Sequence, residues 1–187
     1  MDEAIVKQVL DWGAEGILFP MIRTATDAQR AVAACRYPPA GVRGFNPREA
    51  STFFKDLDTY LATANDRVLA ILQVEPAEAV TNLDEILQVP GIDGTMIGTA
   101  DLSYSLGVPL QRNHPRMQAA INTTIAKTRA AGLPVGMTWK DSDAGYLEYL
   151  ARGLVFISPY TDADFLNIAA ADWLRKMRTA PQATRPD

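Results

Sequence analysis

Cysteine and histidine are almost absent from this 187-residue chain, which has one of each. A single Cys35 excludes an internal disulfide and a cysteine-built zinc site, and a single His114 excludes a histidine-cluster metal centre. Long apolar runs are missing too. Stretches such as 16–21 and 68–72 fall well short of the roughly 18–20 residues a membrane span needs. Lys and Arg are nowhere concentrated, and 18 of them against 22 acidic residues leave a net charge of −4. Nucleic acid and anionic membranes are therefore not expected partners, and a small molecule is. Met1 is followed by Asp2 and Glu3 rather than by a basic and apolar leader, so a cytoplasmic location is expected. No GxSxG, P-loop or GxGxxG sequence occurs.

What is present is an ordinary globular composition, 48% hydrophobic and 21% charged, in a chain long enough for one domain with a substantial core. The hydrophobic pattern alternates between helix and strand. Residues 2–12 carry a helical stripe (Ile5, Val6, Val9, Leu10) stopped by Gly13. Residues 16–22 form a short apolar run of the kind buried on both faces of a parallel sheet. A helix over 27–36, capped by Thr26 or Asp27, must stop before Pro38-Pro39, and Cys35 on it reads as a buried core thiol. Residues 37–56 read as a long loop.

A short helix over 56–65 leads to a second strand at 68–74. Pro76 suits the first turn of a helix running to Gln88, with Ala79, Val80, Leu83, Ile86 and Leu87 inward. Strands follow at 94–98, 134–139 and 154–159, alternating with helices at 114–131, 141–152 and 162–177. Residues 1–177 form one domain in this reading, and the polar segment 178–187 reads as a disordered tail. Five strands, each followed by a helix, make an α/β chain with a parallel sheet and right-handed crossovers. Periodicity leaves a doubly wound sheet and a (β/α)8 barrel equally open.

In both architectures ligands bind at the C-terminal ends of the strands. There the second strand ends Gln73-Val74-Glu75 and the third ends Gly98-Thr99-Ala100-Asp101. Two convergent carboxylates suit a hard divalent ion; the competing reading is that each complements the helix after it. Gly98 permits close approach of a ligand to the backbone, whose N–H groups can hold a carboxylate. His114, just before Pro115, reads as a helix cap or surface residue rather than a catalyst. Asp141 and Asp143 open a helix, while Trp139, Ser158 and Tyr160 end strands, where pocket wall and packing are both open.

Several motifs in register carry a family resemblance: Gly13-Ala14, Pro20-Met21-Ile22, the stretch 36–44 (RYPPAGVRG), Gln73-Val74-Glu75, Gly98-Thr99-Ala100-Asp101-Leu102-Ser103, and His114-Pro115. The chain resembles the HpcH/HpaI-type class II 2-oxo-acid aldolases. The resemblance implies a (β/α)8 TIM barrel, here as about five C-terminal βα units, a partial barrel. It implies Glu75 and Asp101 as ligands of a divalent metal, Mg²⁺ or Mn²⁺ with Co²⁺ as a third candidate. Gln73 would lie beside a bound 2-oxo acid, and the Gly98, Thr99 and Ala100 backbone would receive its carboxylate. The implied reaction cleaves a 4-hydroxy-2-oxo acid to pyruvate and an aldehyde through a metal-stabilised enolate. The 36–44 loop resembles one that reaches a neighbouring subunit's site, so a homo-oligomer is implied, with the last helix packing on a neighbour.

Two departures stand out. Thr99 replaces the proline usual in the family's Gly-x-Ala-Asp-Leu-Ser loop. The resemblance also begins at the helix before the family's fourth strand, so a chain truncated at its N-terminus is expected. The family's catalytic histidine and its carboxylate-gripping arginine then have no counterpart; neither His114, Arg23 nor Arg43 matches them, and no catalytic residue is identified. The alternatives to an active lyase are a non-catalytic remnant keeping the metal and oxo-acid half-site, and a subunit completed by another chain.

Overall fold

The computed structural model describes residues 1–138 and 143–179. Trp139, Asp141 and residues 180–187 lie outside the described residues, as does the side chain of Asp143. In chain order the elements are α1 (Glu3–Asp11), β1 (Gly16–Phe19), α2 (Ala25–Cys35), α3 (Leu57–Arg67), β2 (Leu69–Val74), α4 (Ala77–Thr81), α5 (Leu83–Ile86) and β3 (Gly94–Ile97). They continue with α6 (Thr99–Ser105), α7 (Pro115–Ala130), β4 (Val135–Thr138), α8 (Asp143–Ala151), β5 (Phe156–Ser158) and α9 (Asp162–Thr179).

The five strands are all parallel and lie in the order β1-β2-β3-β4-β5. A doubly wound sheet reverses its strand order at a switch point. Five strands in unbroken sequence form an arc of a barrel instead, which settles the choice that periodicity left open: the sheet is a half-barrel.

Strand alternation divides the side chains between two faces. Ala70, Leu72 and Val74 of β2 are buried in a core shared with Val6 and Leu10 of α1, Ala28, Ala31 and Cys35 of α2, and Leu83 and Ile86 of α5. A second core joins Ile97, Val135 and Met137 to Met117, Ile121 and Ile125 of α7. Val80 packs against both. Cys35 is fully buried, and burial pushes its thiol up to about 11.

Local chemistry moved several boundaries. The cap of α2 is Thr24 rather than Thr26 or Asp27: Thr24 Oγ1 accepts from Asp27 N, and Asp27 answers as the third residue of a capping box. Pro76 caps α4 from outside the helix, and the helix expected to run to Gln88 breaks at Asn82, whose Nδ2 donates to Arg23 O at 2.9 Å. The last helix runs on to Thr179, two residues into the segment read as tail.

The loop after α2 is fastened by two arginines. Arg36 donates to Val68 O at 2.6 Å and to Gly91 O at 3.2 Å, and pairs with Asp93 at 3.1 Å. The side chain of Arg43 is fully buried; it pairs with Asp11 at 3.0 Å and lies 4.5 Å over the Tyr37 ring. Both arginines of the 36–44 stretch are therefore anchors within their own chain. Val42 within it and Phe45 just after it are large apolar side chains left exposed.

Candidate functional site

At the C-terminal rim, register decides which side chains meet. Gln73 pairs with Met96 and Val74 with Ile97, so one step further Glu75 lies beside Gly98. Ile97 pairs with Met137, which brings Thr138 alongside Gly98 from the other side. Gln73 and Glu75, two apart, project to one face, opposite the helix-packed Leu72 and Val74.

Glu75 is buried, 3% exposed, and its Oε1 accepts a 2.7 Å hydrogen bond from Met21 N. Met21 holds a left-handed backbone, φ 57°, costly for a non-glycine residue and characteristic of ligand sites. Glu75 is held above the usual carboxylate range by burial, with the Met21 N–H working against the shift and the negative charge of Asp101 adding to it. The two carboxylates thus feel one another. Among the described residues no Lys or Arg pairs with either.

Gly98 has an ordinary φ of −84°; what it supplies is space. A Cβ there would sit 2.6 Å from Gln73 Nε2 and 2.7 Å from Glu75 Oε2. The backbone that follows opens α6, a helix not anticipated from the sequence, where residues 98–101 read as a strand end. Gly98 N donates to Val74 O at 3.1 Å and Thr99 N to Thr138 Oγ1 at 3.2 Å. Ala100 and Asp101, next in the first turn, have no intrahelical acceptor for their amides. The group of amides open to a ligand carboxylate is therefore narrower than the run 98–100 suggested.

These residues border a cleft of about 830 Å³ whose walls include Gln73, Gly98 to Asp101, Ser103, Thr138 and the loop Leu110 to His114. His114 caps α7, its Nδ1 accepting from Arg116 N at 3.2 Å, and it also lines the cleft, a second position that capping alone did not reveal. Arg23 pairs with Glu78 at 3.7 Å, and Arg43 lies in the α1 and loop packing. Neither lines the cleft. Sequence reasoning missed Ser103, Thr138 and Arg112. Thr138 closes β4 and was passed over because that strand was expected to run on to Trp139, whereas Ser103 on α6 and Arg112 in the loop before α7 carry no local signal.

The donor set fits a hard divalent ion: two carboxylate side chains, each adding to the other's negative field. Among the described residues no cluster of three His, Cys, Asp or Glu is assembled. A pair suits Mg²⁺ or Mn²⁺, which keep several positions for water and substrate oxygens.

Five parallel strands in unbroken order, with a cleft at their C-terminal rim, define a barrel-type α/β protein. The chain belongs to the HpcH/HpaI aldolase/citrate lyase family, whose profile matches residues 1–158. It is 42% identical over 165 residues to a 4-hydroxy-2-oxovalerate aldolase of Rhodococcus jostii (strain RHA1), covering 88% of this chain and 63% of that protein. It is 42% identical over 166 residues to a 4-hydroxy-2-oxo-heptane-1,7-dioate aldolase of Salmonella heidelberg (strain SL476), with the same coverage. The chain thus spans 63% of the length of these curated relatives. Among solved structures it resembles an HpcH/HpaI aldolase/citrate lyase family protein from Burkholderia cenocepacia J2315, with a TM-score of 0.83 and 34% identity over 95% of this chain and 70% of that one. It also resembles an HpcH/HpaI aldolase from Desulfitobacterium hafniense DCB-2, with a TM-score of 0.84 and 26% identity over 98% and 71% of the two chains.

Proposed function

We propose that the protein is a metal-dependent carbon–carbon lyase that cleaves a 4-hydroxy-2-oxo acid to pyruvate and an aldehyde, and that this chain binds the metal and the oxo acid. The observation that carries the reading is the Glu75–Asp101 pair beside Gly98, where the absence of a Cβ keeps room against both Glu75 and Gln73. The named relatives support the reaction type. Their substrates share the 4-hydroxy-2-oxo acid head and differ in whether the tail ends in a second carboxylate.

Glu75 and Asp101 would hold the ion. When bound, it would supply Lewis-acid stabilisation of the negative charge that develops on the 2-oxo oxygen as the C3–C4 bond breaks. Glu75 is positioned for this by the Met21 amide, which fixes one oxygen and leaves the other facing Gly98. Gln73 orients the oxo acid from the same strand, and the Ala100 and Asp101 amides receive its carboxylate. Thr138 holds the turn by accepting from Thr99 N and so takes the place of the rigidity a proline would give. The 4-hydroxyl proton must leave as the aldehyde forms, and no group of this chain is assigned as its acceptor.

A homo-oligomer belongs to the same proposal. Helix α9 buries no residue, and Phe165, Leu166, Ile168, Trp173 and Leu174 all lie exposed on it. Association of copies through this helix would cover them. No described helix is long and apolar enough to cross a membrane.

The test is pyruvate release from 4-hydroxy-2-oxo acids with Mn²⁺ or Mg²⁺. Turnover that needs the ion and disappears in Asp101→Asn supports the lyase. Pyruvate binding without turnover would favour a remnant or a subunit needing completion. Turnover surviving exhaustive chelation would contradict the metal-dependent reading.

A further inference from the structure

We propose that Ser103 is a positioning residue for the metal site, its buried hydroxyl holding the peptide that carries Asp101 and fastening the loop before α7 to it. The inference rests on the metal-binding reading above and adds what keeps Asp101 in place.

Glu75 and Asp101 are held in unlike ways. Glu75 is buried just after β2 and accepts from the Met21 amide. Asp101 is exposed, in the first turn of a seven-residue helix. A helix of two turns has little stability of its own, so the placement of Asp101 depends on what holds its backbone.

Ser103, 1% exposed, supplies that hold. Its Oγ donates to Ala100 O at 2.6 Å, and this carbonyl shares one planar peptide with the Asp101 amide. Pinning the oxygen fixes the plane and, with it, the Cα from which the Asp101 carboxylate projects. A serine bonded back to a carbonyl of the preceding turn is common in helices and alone would mean little. What sets Ser103 apart is its second partner: the same Oγ accepts from Leu110 N at 2.8 Å. A hydroxyl that accepts one bond while donating another is polarised, and each bond strengthens the other. The backbone of Ser103 joins in, its carbonyl accepting from Val108 N at 2.9 Å.

The loop takes an unfavourable shape to make this contact. Leu110 holds a left-handed backbone, φ 58°, with its side chain 71% exposed. Such a conformation is disfavoured for leucine and persists only where the surroundings impose it. With so much of the side chain in solvent, packing contributes little, and the bond from Leu110 N to Ser103 is what the shape secures. Asp101, Ser103 and Leu110 all border the same cleft. A metal ligand, one hydroxyl and a strained loop are thereby linked in series.

The test reads Mn²⁺ affinity by calorimetry, below the melting temperature of each variant. Ser103→Ala should bind Mn²⁺ about 10–100-fold more weakly, the range for losing a group that orients a metal ligand. A purely structural hydroxyl would lower the melting temperature and leave the Mn²⁺ affinity of the folded protein unchanged, and that result would overturn the inference. Should Ser103→Ala not fold, Ser103→Cys carries the same comparison, because a thiol fills the space and makes only weak hydrogen bonds. Two variants at Leu110 test the link to the loop. Leu110→Gly adopts the left-handed backbone freely and keeps its amide, so it should bind Mn²⁺ as the wild type does. Leu110→Pro has no amide hydrogen and cannot take that φ, so it should weaken Mn²⁺ binding. Equal affinity in these two variants would contradict the coupling. Failure of the wild type to bind Mn²⁺ would remove the metal-binding reading and this inference with it, whereas wild-type binding that Ser103→Ala leaves intact removes the inference alone.

Discussion

Glu75 is a buried acid beside another acid, and that placement costs the fold something the metal would return. Burial and the Asp101 charge raise its folded-state pKa above the unfolded value. Raised this way, a carboxylate destabilises the metal-free protein at neutral pH, and the cost is relieved as pH falls through the raised value. Glu75→Gln keeps an oxygen for the Met21 amide and removes the charge. Its melting temperature in chelator at pH 7 to 8 is expected to lie above the wild type's, with the gap closing on acidification; a lower melting temperature would show that the charge is compensated elsewhere. Gly98→Ala tests the neighbouring space. A Cβ at 2.6 Å from Gln73 and 2.7 Å from Glu75 forces both aside, at a cost of about 1–3 kcal/mol in stability. Displacing a ligand in this way should weaken Mn²⁺ binding about tenfold or more by calorimetry.

At the scale of elements, the α2 capping box gives a prediction with a pH sign. Burial by itself would raise the Asp27 pKa, but hydrogen bonds from the Arg23 amide and from the Thr24 hydroxyl and amide outweigh it, and the value is lowered. Its contribution is therefore complete above the ordinary carboxylate value near 4 and is lost as pH falls through the lower folded-state value. Thr24→Ala should cost about 1 kcal/mol in denaturant unfolding at neutral pH. Asp27→Asn should flatten the acid limb of the stability profile, and an unchanged limb would contradict the assignment.

The same elements show what was legible in the sequence. All five strands were, because each is a short apolar run bounded by turn residues, and so was the inward set of α4 and α5. The meeting of Gln73, Glu75 and Gly98 followed from their place at strand ends. Thr24 was hidden because Asp27, a good cap by type, serves as the third residue of the box. Helix α6 was hidden because seven residues give too few turns for a period to show. The ties of Ser103 Oγ to Ala100 O and Leu110 N, and of Gln118 Nε2 to Arg112 O, are hydrogen bonds between residues that no local pattern links.

For the whole molecule, the unbroken order of five parallel strands makes an arc whose helix-packed face holds both hydrophobic cores. The rim of that arc gathers the polar residues left after packing is satisfied. Family membership and fold follow from this arrangement and from the matching profile over residues 1–158. The chemistry rests on a narrower point, that Glu75 and Asp101 bind one divalent ion together. Titration of Mn²⁺ into the purified protein, followed by calorimetry, measures it. The account predicts one site per chain in the wild type, weakened in either single variant and absent in Glu75→Gln combined with Asp101→Asn; binding unchanged in the double variant would contradict it.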